Sequence, residues 1–270
     1  MTNLFAKLAL TSQETLENTI SSLSTHISLE TTRVNDLESL FKILVRAASC
    51  GATIEQTTKE LNNVPSSNTL RYHLKKIKNF KQLEAEINLA LKSQIPAGLN
   101  KKNQTLALDL NLIPYYGEPT EEERPYIYRS QAKDGTCTFY AYATLYLIKK
   151  GKRGKKGVEY FVYVVHQVAT SFSHIRQSYR QRFGIESSYR LKNVGRIRTT
   201  TKNPVIRLLF VGISFLLVNI WVNLLWRRIS QPRRGGRLIY RDRFTLKQML
   251  SFLRQAVDEI FDTVSLLVER

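Results

Sequence analysis

The chain has 270 residues, 43% of them hydrophobic, so it is long enough to bury one large core or two small ones. Its formal net charge is +19 and its pI is near 10.0. A field this positive argues against a cationic partner and favours nucleic acid or an anionic membrane. Two cysteines and four scattered histidines exclude a disulfide framework and a zinc site of the usual spacing.

The positive charge is concentrated after residue 100. Residues 1–100 carry 11 basic and 9 acidic side chains, whereas residues 101–270 carry 30 and 13. The few cysteines, and an N-terminal apolar run that is too short for a signal peptide, predict a cytoplasmic protein.

The first hundred residues are predicted to be helical. Apolar residues at helical spacing predict helices over residues 35–50, 53–64 and 66–80. Gly51 would end the first of them, and Thr53 with Gln56 would open the second through a capping box. The set resembles a helix-turn-helix whose last helix carries basic side chains for DNA: Arg71, Lys75 and Lys76. A small helical bundle with a solvated basic face is the alternative, and His73 is predicted to lie at the surface.

A linker near Pro96 sets the predicted boundary between a helical DNA-binding region, residues 1–100, and a second domain, residues 101–270. The second domain begins with a leucine-rich run that predicts a buried strand ending at Pro114. Asp109 lies in the middle of this strand, where a carboxylate is costly unless it is paired, protonated or metal-bound. The alternative places Asp109 on the solvent-facing side of an edge strand.

Alternating patterns predict the first three strands of the sheet over residues 104–113, 125–132 and 136–148. A run rich in glycine and lysine follows at residues 149–157, and residues 158–167 read as a further strand.

Residues 179–192 hold one acid among several cations. On a helix, Tyr179, Arg182 and Glu186 would share one face. A carboxylate in a basic stripe suits a protein that holds a metal ion against phosphate. The alternative is an exposed basic helix in which Glu186 pairs with Arg182 or Arg190.

This segment resembles the signature of DDE-type transposases of the insertion-sequence-four class, which is Tyr, two residues, Arg, three residues, Glu, six residues, Lys. Lys192 comes one residue early, and Asn193 occupies the expected place. The resemblance implies a ribonuclease-H-like mixed sheet, with Asp109 and Glu186 as catalytic ligands of Mg²⁺ (or Mn²⁺). It also implies DNA contacts near the reacting phosphate from four side chains: Tyr179, Arg182, Arg190 and Lys192.

The second acid of that family has no counterpart at the expected place. Only Asp134 and Glu159 lie between Glu123 and Glu186, and Asp134 is explained by a Lys-Asp-Gly turn. We therefore expect an internal deletion with its seam near residues 149–157, which would also remove the fourth strand that pairs with the strand of Asp109. Either residues 158–167 cover that edge or the sheet is incomplete. A compact variant that uses Asp134 or Glu159 is the alternative.

Two helices are predicted near the C-terminus. Residues 208–226 carry no charge, which allows a membrane span, but Ser214, Asn219 and Asn223 favour a core helix. The last helix would bury one apolar face against the core or against a second copy: Leu246, Met249, Leu250, Leu253, Val257, Ile260 and Phe261.

These features predict an insertion-sequence transposase that cuts and transfers double-stranded DNA at the ends of the mobile element, with impaired catalysis in this chain. The alternatives are a non-catalytic DNA-binding remnant, or inhibitor of the full-length transposase, and a single-span basic membrane protein. A homo-oligomer is compatible with this prediction, and no small-molecule substrate is expected.

Overall fold

The computed structural model describes residues 10–30, 34–96, 105–148, 160–164, 191–234 and 236–264, and it confirms a mixed α/β architecture. Its helices are α1 (Ser12–His26), α2 (Val34–Cys50), α3 (Ile54–Glu60), α4 (Ser67–Lys75), α5 (Phe80–Ser93), α6 (Pro204–Arg227) and α7 (Leu246–Phe261). Its strands are β1 (Thr105–Pro114), β2 (Ile127–Lys133), β3 (Thr136–Ile148), β4 (Tyr160–Val164), β5 (Ser230–Arg233) and β6 (Gly236–Ile239).

Local sequence signals set the ends of the N-terminal helices. Gly51, with a φ of 60°, follows α2 and ends it as predicted. Thr53 Oγ1 accepts the Gln56 N–H at the start of α3. The predicted capping box is only half formed, because the Gln56 side chain donates to Glu60.

The central strand of the larger sheet is β3. It pairs antiparallel with β1 along one edge, and with β2 and then β4 along the other. The three predicted strands are confirmed with small shifts of their bounds. Every strand pair in the described ranges is antiparallel, whereas the resemblance predicts a mixed sheet.

The strand predicted over residues 158–167 is described only from Tyr160 to Val164, and it does not cover β1. It pairs with residues 144–148 of β3, on the edge away from β1. Within the described ranges β1 has β3 on one edge and no strand on the other. Of the two predicted outcomes, the incomplete sheet is therefore the one that the described residues show.

The centre of the fold is α6, which packs on α5 and β4. Its mean hydropathy is 2.3, and 94% of its most apolar window is buried inside the protein. The Asn219 amide donates to Leu91 O at 3.3 Å and the Asn223 amide to Gln94 O at 2.6 Å, so the two polar groups bond to α5 and to its C-cap residue. Because protein surrounds its faces, α6 is packed as a core helix, as predicted.

The closing helix α7 packs against α1 and α2. Five of its predicted apolar residues are buried, namely Leu246, Met249, Leu250, Leu253 and Val257. The prediction is wrong for Ile260, which is 42% exposed in the last turn of α7. One hydrophobic cluster joins residues from both sides of the boundary predicted near residue 100, and the division into two domains stays a prediction.

Candidate nucleic-acid interface

Asp109 lies on the inner face of the sheet. The next two residues on its face of β1, Asn111 and Ile113, are 9% and 8% exposed, and Asp109 itself is partly buried. The leucines point the other way, and Leu106 and Leu110 are 45% and 49% exposed. The predicted alternation is therefore present, but the expectation of a buried leucine face is wrong, because the described residues leave that face open.

The Asp109 carboxylate accepts a hydrogen bond from the Leu110 N–H at 2.9 Å. Opposite it, the Thr144 hydroxyl donates to Asp109 O at 3.1 Å. Asp134, offered as a replacement acid, lies in the exposed turn between β2 and β3 with a φ of 54°. It is about 26 Å along β3 from Thr144, so it cannot share a metal ion with Asp109. No group of three metal-ligating side chains occurs among the described residues.

Lys192 is buried close to the same face. It is 3% exposed, and it lines a cavity of about 20 Å³ together with Ile113 and Arg196. Burial, with a smaller contribution from Arg196, lowers the pKa of the Lys192 ammonium to about 7. The cavity has room for a water molecule but not for a phosphate group. Direct contact between Lys192 and DNA therefore stays a prediction that would require this pocket to open.

Several cations crowd the segment between Lys192 and α6. Burial, together with repulsion from Arg207 and Arg198, lowers the pKa of Arg196. The Arg207 guanidinium lies 4.7 Å from the centre of the Tyr140 ring and donates to Thr201 O. Mutual repulsion of this kind is relieved by an anion.

Two tyrosines attach this segment to the sheet. The Tyr140 hydroxyl donates to Lys202 O at 2.6 Å, and the Lys202 ammonium lies 5.1 Å from the centre of the Tyr115 ring. The Tyr115 hydroxyl donates to the Glu123 carboxylate at 2.7 Å. Burial, followed by this bond to Glu123, raises the pKa of Tyr115 to about 12, so the phenol stays a donor at neutral pH.

The cations predicted on α4 differ in their surroundings. Arg71 is exposed but bonds to Glu55 at 3.1 Å, whereas Lys75 is exposed with no ion pair in the described ranges. The Lys76 ammonium lies 4.7 Å from the centre of the Tyr72 ring. His73 is not a surface residue, as it is 9% exposed and its Nδ1 lies 3.3 Å from Glu30 O.

Four predicted site residues, Tyr179, Arg182, Glu186 and Arg190, lie outside the described residues, as does Glu159. The structure therefore describes two of the residues from the transposase resemblance, Asp109 and Lys192. The face that carries Asp109 continues to Ile113, which lines the Lys192 cavity.

The sequence analysis missed basic residues around α6. No aspartate or glutamate occurs from Ser187 to Arg241. Exposed cations of this acid-free segment precede and follow α6 in the chain: Arg196, Arg198 and Lys202 before it, and Arg227, Arg228, Arg233 and Arg234 after it. The length of the acid-free run was the signal that could have identified them.

Comparison with known proteins does not assign the chain to a family. No family model matches the chain, and no curated protein or solved structure matches it either.

Proposed function

We propose that the protein binds double-stranded DNA and derives from a DDE transposase whose DNA-cleaving activity is impaired. The observation that carries the DNA-binding part is the acid-free segment from Ser187 to Arg241, whose exposed cations precede and follow the buried helix α6 in the chain. Lysine and arginine side chains on a surface of this kind neutralise backbone phosphates.

Charge balance at this surface favours an anionic partner over internal pairing. Ion pairs join residues of α2, α3, α4 and α7. Within the described ranges, the exposed cations on either side of α6 in the chain take part in none: Arg196, Arg198, Lys202, Arg227, Arg228, Arg233 and Arg234. Glu123 is the acid that the segment approaches, through Lys202 and Tyr115, and it is already bonded to Tyr115 and to the Thr120 N–H. These exposed side chains therefore keep an excess of positive charge for a ligand.

The transposase part of the proposal rests on the sheet. In the order β4-β3-β1, the strand with the central aspartate is last, and its outer edge carries no strand among the described residues. That is the place where the resemblance implies a fourth strand with the second acid. The lysine that matches the signature most nearly, Lys192, is close to the face that carries Asp109.

The described residues do not by themselves make a metal centre. Asp109 is the one carboxylate described on its face of β1, whereas DDE chemistry clamps two ions between several carboxylates. One carboxylate cannot hold two metal ions. The binding of Mg²⁺ (or Mn²⁺) therefore stays a prediction, and so does the role of Glu186 as a metal ligand.

DNA binding is tested by fluorescence anisotropy of a labelled 30-base-pair duplex titrated with the full chain at several salt concentrations. We expect binding that weakens as salt rises, with a slope of about −4 or steeper in the double-logarithmic plot, because at least four cations would displace counterions. The double variant Arg196→Ala/Arg198→Ala should reduce the magnitude of that slope by about 2.

The matched control removes two exposed lysines from α5 and α7, as Lys81→Ala/Lys247→Ala. It changes the net charge equally, and we expect it to leave the slope nearly unchanged. Binding that does not depend on salt, or no binding at all, would contradict the proposal.

A further inference from the structure

The arginine-rich segment after α6 is an antiparallel β-hairpin. Ser230 pairs with Ile239 and Arg233 with Gly236. This ribbon leaves the end of α6 directly, as α6 ends at Arg227.

The base of the hairpin is fixed to α6. The Arg237 side chain donates to Ser230 Oγ at 2.6 Å and lies 5.7 Å from the centre of the Trp226 indole ring. The Tyr240 hydroxyl donates to Gln231 Oε1 at 3.0 Å, and the Tyr240 N–H donates to Ile229 O at 3.1 Å. Arg237 is therefore a structural residue, and it orients the tip relative to the core.

The tip presents unpaired positive charge. All residues from Gln231 to Arg234 are exposed. The side chains of Arg233 and Arg234 form no hydrogen bond or ion pair within the described part of the chain, and Arg227 and Arg228 are exposed at the base. Four guanidinium groups on one short ribbon and its base repel one another unless an anion is present.

We propose that the β5–β6 hairpin is a second contact with double-stranded DNA, with Arg233 and Arg234 bound to phosphates or guanine edges in the major groove. This inference rests on the proposed DNA binding and adds a specific element to it. The major groove admits a two-stranded β-ribbon, and guanidinium groups bind phosphate or guanine through paired hydrogen bonds.

The exposed residues favour DNA over a lipid surface. The tip consists of glutamine, proline and two arginines, and it presents no aromatic or large aliphatic side chain for insertion between lipids. The apolar members of the ribbon, Leu238 and Ile239, are on β6 and are partly buried.

The separation of the hairpin from Lys202 also suits a duplex. Lys202 and the hairpin lie at opposite ends of α6, which has 24 residues, whereas Arg196 lies beside the middle of the helix, near Phe210 and Ser214. At 1.5 Å per residue the helix is about 36 Å long. One turn of B-form DNA is about 34–36 Å long, so Lys202 and the hairpin can meet the duplex where the same groove faces the protein.

The experiment compares Arg233→Ala/Arg234→Ala with the wild-type chain and with the control pair Lys81→Ala/Lys247→Ala. Anisotropy is measured on duplexes of 10 and 30 base pairs over a salt series. On the longer duplex we expect the hairpin variant to bind about tenfold or more weakly than the wild type, with a salt slope smaller by about 2. The shorter duplex is about 34 Å long and cannot extend past both Lys202 and the hairpin, so we expect the difference between the two proteins to shrink on it.

A third variant, Arg233→Lys/Arg234→Lys, keeps the charge and removes the planar guanidinium groups. We expect it to restore the salt slope while recovering only part of the affinity, because lysine contacts phosphate as a point charge. The melting temperatures of all variants should match that of the wild type, since the replaced side chains have no partners in the described structure.

The outcomes separate this inference from the proposal on which it rests. If the wild type binds DNA and the hairpin variant has the affinity and slope of the control, the hairpin is not a DNA contact. If the wild type does not bind DNA, both statements fail. If the variant retains DNA binding but no longer sediments with vesicles that contain phosphatidylserine, the hairpin is a lipid contact and the inference is overturned.

Discussion

The helical core around α6 and the sheet beside it are built in different ways. In the core, α5 and α6 approach closely, and the polar side chains of Asn219 and Asn223 bond to backbone carbonyls of α5 and its C-cap residue. In and beside the sheet, a lysine is buried at 3% exposure and two leucines of β1 are about half exposed. The core is thus organised for stability, whereas the sheet region has features that reduce stability.

The largest difference should come from truncating a leucine in each region. Leu209 of α6 is fully buried, and Leu110 of β1 is 49% exposed. Leu209→Ala should lower the free energy of unfolding by about 3 kcal/mol, because it removes buried methyl groups and leaves a cavity. Leu110→Ala should lower it by about 0.5 kcal/mol or less.

Urea denaturation of both variants measures the two values. Similar losses would mean that the outer face of β1 is packed as tightly as α6, and the contrast between the regions would disappear.

The close approach of α5 and α6 gives the next effect. A Cβ atom at Gly212 would lie 2.6 Å from Ile87 Cδ1. Gly212→Ala should therefore destabilise the fold by about 2 kcal/mol through overpacking, although alanine favours a helix.

The double variant Gly212→Ala/Ile87→Val tests the cause of that loss. It should recover part of the stability, because the shortened side chain makes room for the new methyl group. Strict additivity of the two single changes, measured by thermal unfolding, would show that the contact is not the cause.

Several of these core features were predictable from sequence, and the reasons are local. The uncharged run in α6 and the apolar spacing in α7 reflect burial directly, so both helices were predicted, and the Asp134-Gly135 turn followed from its residue types. Which face of β1 is buried was not predictable, because the alternating pattern defines two faces but does not say which one a helix will cover. The β5–β6 hairpin was missed because its strands have four residues each and contain mostly polar side chains.

The burial of Lys192 gives a prediction for pH. Its pKa is lowered to about 7 in the folded protein, whereas an unfolded chain holds the proton up to about 10.4. Between these values the unfolded state binds more protons, so stability should rise with pH by about 1 kcal/mol per unit from pH 7.5 to 9.

The variant Lys192→Met should be more stable than the wild type at pH 7 and should lack this rise, since it removes a buried charge and keeps the volume. Denaturation at pH 7, 8 and 9 measures both proteins. If the stability of the wild type relative to the variant does not change over this range, the pKa of Lys192 is not lowered in the folded protein.

The smallest expected effect concerns α4, in the helix-turn-helix-like region. Lys75 is exposed with no ion pair in the described ranges, whereas Arg71 pairs with Glu55. Lys75→Ala should weaken duplex binding about threefold and reduce the salt slope by about 1, and Arg71→Ala should have less effect. Equal effects of Lys75→Ala and of the control change Lys81→Ala on anisotropy titrations would remove α4 from the interface.

The central claim is that the chain binds DNA without cutting it. One agarose gel tests it, with supercoiled plasmid that carries the inverted-repeat ends flanking the gene, the full chain, and Mg²⁺ or Mn²⁺. We expect the plasmid to be retarded by the protein and to return to its original supercoiled position after protease treatment. Nicked plasmid that requires the metal ion, and that is absent with Asp109→Asn protein, would contradict the claim by showing that a complete set of catalytic acids exists.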